Sequence, residues 1–310
     1  MTLTFTGERF LPECAGEMIY EHWHRYLMVR DYVAGKRVLD VASGEGYGSH
    51  LLSKAALNVV GADISADAVA HANSRYANEN VRYVTADCTK IPEPDASFDV
   101  IVSFETIEHM TAHEAFMREV DRLLAPGGLF IISSPNRPEY SDKTGYRNEF
   151  HVKELDRAEL KALLDPHFPA QAWFAQRAAF HSMVWPLETD ATRVAALTAD
   201  GDAAFPEPLY FIVFCARNSA PLEGVQPALS LVTDREQSVY AEWSRTYREN
   251  AMLHAEIAAL KAAPAPTLTA ATVPAAAAVG AVAAVAAESL TTPDKEPWLV
   301  RAARAISGTR

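Results

Sequence analysis

Cysteine is scarce in this 310-residue chain. Cys14, Cys88 and Cys215 are odd in number and far apart. That excludes a disulfide framework and a cysteine-based metal site, and it favours a reducing, cytoplasmic setting. Long hydrophobic runs are missing too. The nearest approach to a membrane span, Ala275 to Ala287, is short and almost wholly Ala and Val. The opening MTLTFTGERFLPE has no apolar core of the kind a secretory signal needs. Positive charge is outnumbered: 28 Lys and Arg against 40 Asp and Glu leave a formal net charge of −12. A net acidic surface repels phosphate backbones, which argues against nucleic acid as a bulk partner. What remains is 49% hydrophobic and 22% charged, enough to bury a sizeable core.

Composition shifts along the chain suggest five parts. Residues 1–35 read as an N-terminal lid or helical segment, and 36–218 as the main domain, mixed and rich in aromatics. Residues 228–262 lose Gly and Pro and read as one helix. Residues 263–297 collapse into an Ala, Pro, Thr and Val linker that buries too little to offset its ordering entropy, and 298–310 form a short amphipathic tail.

Within the main domain, continuous apolar runs recur with turn residues beyond them: Arg37–Val41, Asn58–Ala62, Val81–Thr85, Val100–Phe104 and Leu129–Ser133. Strands covered on both faces look like this. Helical patterns separate them at Ser49–Ala56, Ala66–Ala77 and His113–Leu124, the last followed by Pro-Gly-Gly at 126–128. Ala170–Gln176 and Leu209–Ala216 read as two later strands around a long insertion. The alternation predicts a doubly wound, Rossmann-like α/β domain with a mostly parallel sheet.

Ligands of such sheets sit at the carboxyl ends of the strands. The first end reads Asp40-Val-Ala-Ser-Gly44-Glu-Gly46-Tyr-Gly48, where glycines let a backbone turn tightly and approach a ligand. A dinucleotide fingerprint would place its third glycine at position 49, which is Ser. Asp40 would repel a pyrophosphate but welcome an ammonium or sulfonium group. Asp63, ending the second strand, offers a carboxylate to both hydroxyls of a ribose. Together these favour a nucleoside carrying positive charge over one carrying diphosphate.

The segments VLDVASGEGYG, VVGADIS, TADCTKIP, FDVIVSFETIEHM and LLAPGGLFIISSPN follow in order and at suitable spacing over residues 36–136. In this the chain resembles class I S-adenosylmethionine-dependent methyltransferases. The resemblance implies their seven-stranded fold and S-adenosyl-L-methionine as cofactor, released as S-adenosyl-L-homocysteine. It implies that Asp40 and the Gly44–Gly46 backbone border the methionine moiety, that Asp63 holds the ribose, that Ile64 belongs to the cofactor site, and that Asp87 with the Cys88 backbone reads the adenine edge. Phe104 and Glu105 then lie beside the methyl. One residue departs from the pattern: Ala42 stands where glycine is usual, and a slightly tighter turn is expected there.

A sugar hydroxyl is feebly acidic, so methylating one calls for a base or a metal. His151, in NEFHVKEL, and His109, just after the fourth strand, are the candidate bases; each equally suits a structural role, as does Glu108. No cluster of Asp, Glu and His stands at metal-ligand spacing, so no metal site is expected. In the N-terminal segment EHWHRY, His22 and His24 point about 200° apart on a helix and make a poor metal pair. Tyr20 and His24 share one face, Glu21 and Arg25 another. Such a helix suits a lid, with Arg25 or His24 reaching the methionine carboxylate, or an ordinary amphipathic packing role.

GERFLPE, EHWHRY, SGEGYGS, SFETIEHM, SSPNRPEYSD and NEFHVKEL together resemble bacterial methyltransferases that occur with surface-polysaccharide and glycosyltransferase systems. That implies an O-methyltransferase acting on a sugar or glycan. A methyltransferase for a quinone or polyketide, and a cofactor-binding scaffold in a polysaccharide assembly complex, stay open as alternatives. In the C-terminal helix, Val239, Trp243, Tyr247, Leu253, Ile257 and Leu260 make a short heptad-like stripe, which favours a coiled coil between copies over packing back on the domain.

Overall fold

Seven apolar stretches pair into one sheet. The computed structural model describes residues 17–179, 205–225, 228–232 and 237–262. The strands are β1 (Arg37–Val41), β2 (Asn58–Asp63), β3 (Val81–Thr85), β4 (Phe98–Ser103), β5 (Leu124–Pro135), β6 (Ala170–Gln176) and β7 (Tyr210–Ala216). Their order is β3-β2-β1-β4-β5-β7-β6, and β7 alone runs antiparallel to its neighbours. This is the doubly wound, mostly parallel seven-stranded sheet expected from the sequence.

Alternation along each strand feeds two cores. Leu39, Val41, Ile101, Phe130 and Ile132 face one side; Val38, Val100, Val102, Leu129 and Ile131 face the other. Both faces are therefore apolar, which is why these strands read as unbroken hydrophobic runs. Helices α1 (Glu17–Val29), α2 (Tyr47–Ser53) and α3 (Ala66–Tyr76) cover one face, through residues such as Val29, Leu52 and Val69. Helices α4 (His113–Leu123) and α5 (Arg157–Leu164) cover the other through Phe116, Val120, Leu160 and Leu164. The connections from β1 and β4 thus leave on opposite faces, which makes their carboxyl ends the switch point where ligands of such folds bind.

Two boundaries and one additional helix depart from expectation for local reasons. Helix α2 starts at Tyr47, because Gly46, at φ 99°, turns straight into it. Strand β5 begins at Leu124: Phe98 pairs with Leu124 and Val100 with Leu129, so the register slips across Pro126–Gly128 while pairing continues. Helix α5, which the apolar spacing does not announce, is started by a capping box in which Asp156 and Glu159 satisfy each other's backbone amides.

The C-terminal helix also needs correcting. It spans Ser238–Ala262, whereas 228–232 is non-helical and Gln237 sits at φ 50°, a left-handed residue that interrupts any helix arriving from 228. The chain divides into two compact units, Met1–Tyr247 and Arg248–Arg310. In the first, Tyr240, Trp243 and Tyr247 stack along the helix with ring centroids 5.8 and 5.7 Å apart, all substantially exposed. In the second, Met252, Leu253 and Ile257 are exposed. No described helix is long and apolar enough to cross a membrane. The GERFLPE segment, most of the insertion before β7, and the 263–310 linker and tail lie outside the described residues.

Candidate functional site

The loop after β1 is built from left-handed residues: Ala42 at φ 59°, Gly44 at φ 55° and Gly46 at φ 99°. Asp63 at the tip of β2 ties it down. Its Oδ2 accepts from the Gly44 amide at 2.8 Å and its Oδ1 from the Ser65 amide at 2.9 Å, while Ser65 itself caps α3. A carboxylate offers about four lone pairs, so both oxygens keep capacity for a further donor. A Cβ built on Gly44 meets nothing within 4 Å among the described residues, so the backbone is bare on that side. Ala42 shows what the missing glycine costs: a β-carbon in the left-handed region is worth about 1–2 kcal/mol of strain. Ala42→Gly is expected to raise unfolding stability by about 1 kcal/mol, read by urea denaturation.

Glu45, a residue the sequence reading passes over, fixes the same loop from the other side. Its buried carboxylate meets His71 at 3.1 Å, Tyr76 Oη at 2.8 Å and Arg75 at 3.2 Å, all on α3.

Asp40 is fully buried. Ser49 Oγ donates to its Oδ2 at 2.6 Å, and Tyr26 Oη donates to both oxygens at 3.2 and 3.3 Å. Tyr26 gets there because Gly48 makes room: a Cβ at Gly48 would lie 2.1 Å from the tyrosine ring. Burial pushes the Asp40 carboxyl up to about 7 against these hydrogen bonds, and nearby Asp63 adds to the rise.

Arg25 is the largest fully buried polar side chain. Its Nε donates to Gln176 Oε1 at 2.8 Å, and the guanidinium lies 4.4 Å over the Tyr210 ring. Among the described residues Nη1 and Nη2 have no hydrogen-bond partner, and Glu105 Oε1 lies 3.5 Å from Nη2. His24 turns elsewhere, to Ser230 Oγ at 2.9 Å, and Tyr20, four residues before it, is half-buried. Of the two residues expected to reach a carboxylate, Arg25 alone stands beside Glu105.

Farther along the strand tips, Ile64 is 72% exposed after Asp63. Asp87 Oδ1 accepts from the Thr89 amide at 2.8 Å and hydroxyl at 2.7 Å, a local turn that holds its carboxyl below the usual range. Burial pushes the Cys88 thiol up to about 12, so it carries no thiolate chemistry at neutral pH. Phe104, buried, meets Tyr26 edge-on at 5.1 Å. Glu105, at φ 51°, is locked by Ser133: its amide donates to Ser133 Oγ at 3.0 Å, and that hydroxyl donates to Oε1 at 2.7 Å.

The expectation of no Asp, Glu and His cluster is overturned just beyond β4. Ligand atoms of Glu108, His109 and His151 all lie within 4.8 Å of one another. His151 lies 42 residues after His109 in sequence, and folding joins the two segments through hydrogen bonds. The Glu108 carbonyl accepts from Val152 and Lys153 at 2.8 and 3.0 Å, and His109 Nδ1 donates to the Phe150 carbonyl at 2.9 Å. His151 Nδ1 donates to Glu154 Oε1 at 2.6 Å, Ser141 Oγ holds the other Glu154 oxygen, and the imidazole stacks on Tyr140 at 5.4 Å. Glu108 is fully buried with neither carboxyl oxygen hydrogen-bonded. Burial pushes that carboxyl well above the usual range and Glu105 adds to it, with its own backbone amide working the other way.

Sequence reasoning found Arg25, Asp40, Asp63, Glu105, His109 and His151 but missed Tyr26, Tyr140, Glu154, Gln176 and Tyr210. Glu154, three residues after His151, had a usable signal in its spacing. The others act on residues 11 or more positions away.

Residues 39–132 match the model of a methyltransferase domain. Over 166 residues the chain is 39% identical to a probable S-adenosylmethionine-dependent methyltransferase of Mycolicibacterium smegmatis, covering 53% of this chain and 64% of the relative. A probable S-adenosylmethionine-dependent methyltransferase of Mycobacterium tuberculosis is 38% identical over 52% of this chain and 60% of its own length. A fatty-acid O-methyltransferase of M. smegmatis is 32% identical over 35% of this chain and 40% of its own. The chain therefore spans less than two thirds of each of these relatives.

Proposed function

We propose that this chain is an S-adenosylmethionine-dependent methyltransferase acting on a hydroxyl of a sugar or glycan. The observation that carries the donor half is Arg25. A buried guanidinium with two unsatisfied nitrogens is costly, and a carboxylate relieves it with paired, charge-assisted hydrogen bonds. The methionine end of S-adenosylmethionine supplies that carboxylate, and the molecule brings a methyl group on a positively charged sulfur. Asp40 suits the ammonium, the bare Gly44 backbone permits close approach, and the spare lone pairs of Asp63 suit the ribose diol. Ile64 and the Asp87–Cys88 turn border the adenine. Phe104 and Tyr26 keep water from the reacting end, and Glu105 stands beside it. The methyltransferase-domain match and the named methyltransferase relatives support the same assignment.

The acceptor half rests on the Glu108–His109–His151 cluster. Methyl transfer is an in-line displacement that needs alignment and, for an aliphatic hydroxyl, somewhere to send a proton. A phenol or a carboxylic acid is acidic enough to dispense with such an assembly, whereas a sugar hydroxyl is not. Tyr140 and the half-exposed Tyr146, whose rings lie 5.8 Å apart, offer apolar faces beside the cluster.

Calorimetry with S-adenosylhomocysteine against NAD tests the donor; binding of the dinucleotide alone would end the proposal. Asp63→Ala is expected to weaken S-adenosylhomocysteine binding by about 1–3 kcal/mol, the cost of leaving buried donors unpaired. Incubation with labelled donor and nucleotide-sugars, glycans and phenols tests the acceptor. Label found only in a phenol removes the sugar, and donor that binds but is never consumed marks a scaffold.

A further inference from the structure

We propose that Glu108, His109 and His151 form a binding site for a borderline divalent cation of the zinc or cobalt type. Three observations converge. One ligand atom from each residue lies within 4.8 Å of the others, with His109 Nε2 4.0 Å from Glu108 Oε1. Glu108, fully buried at the closed end of the cluster, has two carboxyl oxygens with no hydrogen-bond partner. Both imidazoles are held by Nδ1, His109 on the Phe150 carbonyl and His151 on the Glu154 carboxylate. That is how metal-bound histidines are oriented, with the outer nitrogen tied to an acceptor and Nε2 left to bear the lone pair. His151 Nε2 now meets the Asn148 amide at 3.0 Å, a contact that a cation replaces.

The ligand set selects the ion. Two imidazoles and one carboxylate suit zinc, cobalt or iron(II) better than magnesium, which prefers all-oxygen shells. Three protein ligands leave a position open, the arrangement of a reactive site and not a structural one. Ligand bonds of about 2.0–2.2 Å require the three groups to draw together by roughly 1 Å. In that open position a sugar hydroxyl would lose its proton more readily, a role that rests on the function proposed above; cation binding itself does not.

The test is titration of the metal-free full chain with cobalt(II) chloride, followed by visible absorption. We expect one saturable equivalent, with Glu108→Gln and His109→Ala each weakening it about tenfold or more, and Glu154→Gln about tenfold through His151. Thermal melts check folding, and Glu108→Gln, which removes an unpaired buried acid, keeps the melting temperature. Absence of a saturable band, or a band equal in Glu108→Gln and His109→Ala, overturns the site. S-adenosylhomocysteine calorimetry on the same samples separates the questions. Cobalt bound without it leaves the cation site standing while the function fails, and the reverse leaves the function while the site fails.

Discussion

Asp40→Asn is expected to give a chain that melts higher than the parent at pH 8 and holds S-adenosylhomocysteine about tenfold more weakly. The parent keeps a carboxyl fully buried, and burial raises it from the ordinary 3.8 to about 7. A folded-state value above the unfolded one means that the folded chain binds the extra proton between about pH 4 and 7. Stability therefore falls as pH rises through that window and stays low above it. The full span corresponds to roughly 4 kcal/mol, an upper bound. Asparagine removes the ionisation but fits the hydroxyls of Ser49 and Tyr26 less well, so the net gain should be about 1–3 kcal/mol. For a domain of this size that is about 2–4 °C per kcal/mol. The advantage should vanish by about pH 4, where both proteins are uncharged at this position. The binding loss has the opposite pH dependence. An ammonium partner stabilises the ionised carboxylate, so parent affinity should rise through about pH 7 while that of Asp40→Asn stays flat. Equal melting curves at pH 8, or a parallel affinity profile, would show that Asp40 is neutral to both.

His151→Ala should lower turnover by about 10²–10⁴-fold, the usual weight of a group that manages a proton in the transition state. Donor affinity should hardly move, because Arg25, Asp40 and Asp63 stay intact. The imidazole also stacks on Tyr140 and anchors Glu154, so a purely structural role must be told apart. His151→Gln, which keeps bulk and one hydrogen bond, serves for that. A rate restored by glutamine would assign the histidine to loop structure, whereas a rate still depressed in a chain of parental melting temperature assigns it to the chemistry.

Much of the fold was legible because each central strand serves both faces. Val38 and Leu39, adjacent in sequence, enter opposite cores, which leaves β1 apolar throughout. The reversal of β7 and its insertion between β5 and β6 left no such trace, since an apolar run has the same composition in either direction. The glycine loop and Asp63 were readable from local spacing, whereas the positive φ at Ala42 was not: the sequence suggested only a slightly tighter turn there. The cluster of Glu108, His109 and His151 was not, since nothing at positions 108–109 specifies a partner 42 residues later. The contacts that create it are backbone hydrogen bonds from Val152 and Lys153, which any residue types could make. The late start of the C-terminal helix was equally hidden, because it depends on one residue, Gln237, adopting a positive φ.

The Arg25 guanidinium and the rings of Tyr210, Tyr140 and His151 form a continuous chain of contacts, from the guanidinium over Tyr210, edge-on to Tyr140 at 5.8 Å and then stacked on His151 at 5.4 Å. Its members come from three stretches of chain, α1, the 136–156 segment and β7, so loop exchange with a homologue is constrained. A transplanted 136–156 segment would arrive without Tyr210 beneath it. Swapping that segment would therefore disturb the setting of Arg25 as well, unless β7 travels with it.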